Sequence, residues 1–171
     1  GKHLANLFKR RCGVGLDISN LRPENAPVNN SARTTTGAWS FADFYSFVCR
    51  MIGQNGRRGA LMISMDVRHP DIEKFITMKR NLTKVTGANV SVKISDSFME
   101  AVEKNEAFTL QFPVDSPTPT TSVTVQACDL WKKIVESAAL TAEPGLLMWD
   151  NVINNLPAEC YRDDGFKTLT T

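Results

Sequence analysis

Between Gly53 and Ala60 the chain reads GQNGRRGA, three glycines around two adjacent arginines, and this stretch is well equipped to hold an anion. Glycines let backbone N–H groups crowd against a ligand with no Cβ in the way, and guanidinium forks pair phosphate oxygens or base edges through parallel hydrogen bonds. Taken alone, so short a run is equally a solvated turn. It is not a Walker loop, since no Gly-Lys-Ser/Thr follows, and Gly13-Val14-Gly15 lacks the third glycine of a dinucleotide fingerprint. The four cysteines, Cys12, Cys49, Cys128 and Cys160, are too scattered for paired zinc-ligand spacing, with only two histidines to help. They read as reduced thiols filling small core positions.

The surrounding pattern says how this loop is held. Leu4, Leu7 and Phe8 recur at helical spacing within Lys2 to Arg11, and Val14, Leu16 and Ile18 alternate as a short strand. Leu21 to Gly37 is a long loop rich in Pro, Asn, Ser and Thr, with Arg22 and Arg33 as its cations. Loops of this length inside compact domains are usually functional or disordered. Ser40 is positioned to cap the next helix, with Asp43 completing a capping-box-like start and Gly53 ending it. Phe41, Phe44, Tyr45, Val48, Met51 and Ile52 give that helix one broad apolar face, suited to the core or to a second subunit.

Behind the arginine loop, Ala60 to Met65 reads as a buried strand. The His-Pro-Asp that follows places Pro70 at the first position of another helix, with Asp71 and Glu73 at its positive end. Asn89 to Ile94 alternates as a strand, and Ser97 with Glu100 offers a capping box. Phe108, Leu110 and Phe112 can form a hairpin with Val123 and Val125 across the Pro-rich stretch from Pro113 to Ser122. A last long helix runs from about Asp129 to Thr141, and Leu146 to Trp149 is a short strand delivering Asp150 and Asn151. Strands and helices alternate throughout, so the fold class is α/β.

Bulk properties narrow the function. At 171 residues one domain is the expectation. Twenty Lys and Arg against eighteen Asp and Glu give a net charge of +2, too balanced for a general nucleic-acid binder resting on a concentrated basic surface. No apolar run approaches the roughly 20 residues that cross a bilayer, and the chain opens without a signal-peptide pattern. A cytoplasmic protein without membrane or nucleic-acid partners is expected.

The stretches RCGVGLDISNLRP, NNSARTTTGAWSF, NGRRGALM, HPDIEKFI, NVSVKISDSFM and TAEPGLLMWDNVIN together resemble, in order and spacing, the large catalytic subunit of ribonucleotide reductases. The likeness is greatest to the adenosylcobalamin-dependent class and weakest from Glu103 to Ser122. It implies that residues 1–171 form a single partial domain, about the first half of a ten-stranded α/β barrel, with effector loops near 22–37 and 53–60. The whole enzyme would reduce ribonucleotides to 2′-deoxyribonucleotides by a thiyl-radical mechanism, with adenosylcobalamin as cofactor. In that family the 53–60 loop lies between substrate base and a deoxynucleotide or ATP effector, so Arg57 and Arg58 would face the substrate, and Gln54 and Asn55 the effector. Arg22, Val28 and Arg33 match the effector loop, and Cys12 and Gly13 match the backbone lining of the substrate. A third glycine is commoner where Cys12 stands. Helix 40–52 matches the family's homodimer contact.

The radical motif, Asn-Pro-Cys followed shortly by Glu, is expected directly after KTLTT, and the first reducing cysteine before Gly1. Cys160 lacks the neighbouring Asn-Pro and Glu and is not that cysteine. The resemblance therefore implies an internal fragment with no catalytic residue of its own, which neither turns over substrate nor binds the cofactor alone. Two other classes remain open: a stand-alone nucleotide-binding regulatory module, and a single-stranded nucleic-acid binder built on Lys9, Arg10, Arg11, Arg57 and Arg58.

Overall fold

A computed structural model describes residues 1–52, 59–81 and 83–168. Helix α1 (Lys2–Lys9) leads into strand β1 (Gly13–Asp17), then α2 (Ala38–Met51), β2 (Ala60–Asp66), α3 (Ile72–Thr77) and β3 (Asn89–Ile94). They are followed by α4 (Asp96–Glu103), the hairpin β4 (Ala107–Phe112) and β5 (Thr121–Gln126), α5 (Ala127–Thr141), β6 (Gly145–Met148) and α6 (Trp149–Asn155). A 3-10 segment spans Pro157–Asp164.

Among the described residues the main sheet has the order β1-β2-β3-β6, with every pair parallel. Register places Leu16 beside Ile63 and Ile63 beside Val90, while Asp17 lies beside Ser64 and Asp66 beside Lys93. Successive strand residues point to opposite faces, so this pairing sorts the sheet into two chemically distinct sides. Leu16, Ile63, Met65, Val90, Val92 and Ile94 form one core with Phe8, Ala42, Phe75, Ile76, Leu130 and Ile134 from the helices. Gly15, Asp17, Ser64, Asp66, Ser91 and Lys93 make up the other, polar side.

Three helix starts differ from the local sequence signals, each for a physical reason. Helix α2 begins at Ala38, not at a capping Ser40: Ser40 Oγ donates back to Gly37 O at 2.8 Å, and the Ala38 N–H is taken by Asp71 Oδ2 at 2.9 Å. The cap comes from a residue 33 positions away. Helix α3 starts only at Ile72, with Asp71 as its N-cap residue, because the His69–Asp71 turn ahead of it is closed by Asp71 N on His69 Nδ1 and Ile72 N on His69 O, and Pro70 lies ahead of the helix. Helix α4 is capped by Ser95, whose Oγ accepts from Phe98 N at 3.2 Å, so Ser97 lies inside it.

The buried side of α2 is Ala38, Ala42, Ser46 and Cys49, small residues that let the helix lie close to the sheet. Three of its aromatics point the other way: Phe41, Phe44 and Phe47 are exposed, as is Met51 at 65%. The broad apolar face is thus divided: Tyr45, Val48 and Ile52 pack against the core, and Phe41, Phe44 and Met51 face outward. The cysteines also diverge from a uniform core role, since only Cys49 is buried, Cys12 and Cys128 are half-buried, and Cys160 is exposed.

Candidate functional site

Two concave regions flank the C-terminal ends of the strands. The larger, a cleft of about 700 Å³, opens on the polar side and is walled by Asp17, Asp66, Lys93, Arg68, Trp149 and Asp150, among others. Lys93 Nζ lies 2.8 Å from Asp17 Oδ2 and 3.9 Å from the centroid of the Trp149 ring. Asp17 also accepts from Ser64 Oγ at 3.0 Å and from Ser19 N at 3.0 Å. Arg68 grips Asp66 through Nε at 3.0 Å and Nη2 at 2.7 Å, and reaches Asp115 at 2.9 Å. Its hydrogen bond to Asp66 pushes the guanidinium pKa further up against the opposing cost of burial, so Arg68 stays charged. This part of the wall, Asp17–Lys93 and Asp66–Arg68–Asp115, pairs its charges internally.

The second region is a pocket of about 340 Å³ under the 21–38 loop, lined by Leu21, Arg22, Val28, Asn30, Thr35 and Phe41, among others. The loop is ordered by its own backbone: Asn25 N donates to Thr35 O at 2.9 Å, Thr35 N to Ala26 O at 3.0 Å, and Val28 N to Arg33 O at 2.8 Å. Pro27 and Thr34 form an antiparallel bridge. Arg22 donates to Pro27 O at 3.2 Å. Among the described residues neither Arg22 nor Arg33 has a carboxylate partner.

Of the residues singled out from the sequence, the structure brings Arg22 and Val28 to one pocket, with exposed Arg33 bonded to Val28 through the backbone. Cys12 and Gly13 lie elsewhere, at the N-terminal edge of the sheet, where Gly13 pairs with Ala60. Gln54, Asn55, Arg57 and Arg58 fall outside the described residues. Their flank Gly59 is wedged tightly: an added Cβ would lie 2.8 Å from Phe8 Cδ1 and 3.0 Å from Cys49 Sγ. Gly59 and Ala60 therefore enter the sheet beside Gly13, at the far end of α2 from Arg22. A helix of this length spans about 20 Å.

Sequence reasoning passed over the Asp17–Lys93 pair and the reach of His69. The signal for the pair was present: a single charged residue, Lys93, in an otherwise uncharged strand, with its complement Asp17 at the end of another.

A parallel sheet with helices packed on one side and a charged, open opposite side is the architecture of part of an α/β barrel. The chain belongs to the ribonucleotide reductase barrel-domain family, whose model matches residues 1–161. It is 31% identical over 164 residues to a vitamin B12-dependent ribonucleoside-diphosphate reductase of Thermoplasma acidophilum, covering 95% of this chain and 21% of that protein. It is 33% identical over 150 residues to the protein of that name from Mycobacterium tuberculosis, covering 86% of this chain and 21% of the relative. A putative ribonucleoside-diphosphate reductase large subunit of Frog virus 3 is 36% identical over 104 residues, 58% of this chain and 18% of its own length. The chain thus spans about a fifth of the length of the relatives it matches. Among the described residues no helix is long and apolar enough to cross a membrane.

Proposed function

We propose that this chain is the specificity-bearing part of a ribonucleotide reductase large subunit, an oxidoreductase converting ribonucleotides to 2′-deoxyribonucleotides through a thiyl radical housed elsewhere in the enzyme. The observation that carries the reading is the pocket at Arg22: two cations on the loop lack carboxylate partners among the described residues, and Phe41 supplies an apolar wall. Such a site lacks an anion with a flat apolar portion, which a deoxynucleoside triphosphate or ATP provides. Arg22, Val28 and Arg33 would contact this effector together with Gln54 and Asn55, while Cys12, Gly13, Arg57 and Arg58 would line the substrate.

The exposed aromatic face of α2 supports a homodimer, because contiguous apolar surface of this kind marks an interaction site. A two-fold contact is self-complementary. If the two copies of α2 run antiparallel, the Ala38 end of one meets the Met51 end of the other. The Arg22 pocket of one protomer then lies near the Met51 end of the partner's α2, from which the sequence runs on into Gln54, Asn55, Arg57 and Arg58.

The names of the relatives support adenosylcobalamin as cofactor of the whole enzyme. The described residues do not make a cobalt site on their own: His69 has both ring nitrogens engaged, and His3 is exposed on α1 outside the cleft. The chain alone is expected to show no cytidine diphosphate reduction with adenosylcobalamin and a dithiol, and turnover above blank overturns that expectation. Titration calorimetry with dATP, dTTP and dGTP, run beside sedimentation velocity, tests the effector reading. Saturable binding accompanied by dimer formation is expected; a monomer binding none of the three at millimolar concentration overturns it.

A further inference from the structure

The His-Pro-Asp corner after β2 has no part in the reading above, yet its side chains reach directly into the loop that carries Arg22. His69 is fully buried, and its two ring nitrogens meet Leu21 O at 2.8 Å and Asp71 N at 3.0 Å. A carbonyl only accepts and an N–H only donates, so Nε2 carries the proton and Nδ1 is the acceptor. Asp71 is buried and turns its carboxylate onto the loop: Glu24 N lies 3.1 Å from each oxygen, and Ala38 N lies 2.9 Å from Oδ2. One three-residue corner therefore holds the loop at its beginning, through Leu21 and Glu24, and at its end, through Ala38.

Gly37 shows how closely that end is drawn in. An added Cβ would lie 2.7 Å from Asp71 Oδ2 and 3.0 Å from Glu24 Cβ, and the residue's φ of +92° is one that only glycine adopts readily. On the outer side, the Lys74 ammonium pairs with the Glu24 carboxylate as a further tie between α3 and the loop. A simple helix cap on α2 needs the Ala38 contact alone. Sharing one carboxylate between Glu24 and Ala38 does something more, since it sets the distance between the two ends of the loop. Arg22 lies between the Leu21 and Glu24 anchors, and Phe41 lies one helical turn beyond Ala38, so the same carboxylate sets the width of the pocket between them.

We propose that His69 and Asp71 are positioning residues for the effector pocket, holding both ends of the 21–38 loop at the separation an effector nucleotide requires. The inference rests on the effector reading of that pocket. A loop ordered before the ligand arrives loses little conformational freedom on binding, so removing the clamp weakens binding without touching a ligand contact.

Amide hydrogen exchange by NMR, combined with dTTP calorimetry on the full chain, tests it. In the unaltered protein the Glu24 and Ala38 amides are expected to exchange far more slowly than the amide of Ser31 at the loop tip, and saturating dTTP to slow them further. Asp71→Asn keeps the size of the side chain but exchanges one acceptor oxygen for a donor. It is expected to speed exchange at Glu24 and Ala38 and to weaken dTTP at least about tenfold, while the amides of β2 and β3 keep their protection. Unchanged affinity with Asp71→Asn overturns the clamp, as does a loss of protection shared equally by β2 and β3, which marks a merely structural residue. If the variant does not fold, the unaltered protein decides: no slowing at Glu24 and Ala38 on dTTP saturation also overturns it. Failure of the unaltered protein to bind any deoxynucleoside triphosphate strikes the effector reading instead.

Discussion

The cleft and the loop pocket both concentrate charge, and they treat it in opposite ways. In the cleft, Lys93 and Arg68 are each matched by a carboxylate, and both members of the Asp17–Lys93 pair are over nine-tenths buried. On the loop, Arg22 and Arg33 have no such partner among the described residues and face solvent. Desolvation explains the contrast. An unpaired ion is costly where water is scarce, so the buried charges of the cleft, Asp17, Lys93 and Asp66, are paired internally, whereas an exposed cation remains free to meet an external anion. The cleft's charges thus contribute to the integrity of the sheet, and the loop's charges are available for recognition.

By that division a substitution in the cleft acts on stability and one on the loop acts on binding. Lys93→Met leaves Asp17 buried with only Ser64 and Ser19 as donors, and removal of one partner of a buried pair is expected to cost about 3–5 kcal/mol. Chemical denaturation reads this directly, and the double variant Asp17→Asn with Lys93→Met should recover much of the loss. A destabilisation below about 1 kcal/mol would show that the cleft charges are solvated after all. Arg22→Ala is expected to do the converse: fold stability within about 0.5 kcal/mol of the parent, and dTTP affinity weaker by about 1.5–3 kcal/mol, the usual worth of a hydrogen bond to a charged group. Arg33→Ala should act in the same sense but less, since its tie to the pocket runs through the backbone of Val28. A loop variant that unfolds the protein without altering nucleotide affinity would erase the distinction.

What the sequence made legible follows the range of the forces involved. Strand and helix periods are local, and β1 to β6 and α1 to α5 stand close to where the alternation of residues such as Val14, Leu16 and Ile18 put them. The caps failed wherever the satisfying group came from far away: Ser40 looked sufficient for α2, but Asp71 reached the same N–H across the fold. Which of the two, core or second subunit, the apolar face of α2 meets was not legible for a related reason. Hydrophobicity marks aromatic residues as core candidates, whereas close packing against the sheet favoured Ala42 and Ser46 and left Phe44 and Phe47 outside. The pocket residues Arg22 and Val28 were reached through resemblance to a family, because no spacing in a loop of Pro, Asn and Thr announces that its two ends share one carboxylate.

The smallest expected effect concerns pH, and it separates the corner that holds the loop from both charged regions. Burial lowers the pKa of His69 below the usual histidine value near 6.5, outweighing the Leu21 carbonyl and the carboxylates of Asp71, Asp66 and Asp17, which favour the charged ring. The folded state therefore binds fewer protons at His69 than the unfolded chain over the interval just below 6.5. Stability from this group is complete above that value and is lost as pH falls, by at most about 1.4 kcal/mol per unit. Asp71 works in the opposite sense: burial raises its pKa, so its contribution grows as pH falls, but over the interval that begins near 4. Between pH 7 and 6 acidification costs stability through His69, while Asp71 acts in the opposite direction. Denaturation midpoints measured across that range should drop on acidification in the parent and stay level in His69→Gln, which retains a donor for Leu21 O. Equal slopes in both would mean that the ring is not held neutral, and the paired arrangement at Leu21 and Asp71 would need a different proton count.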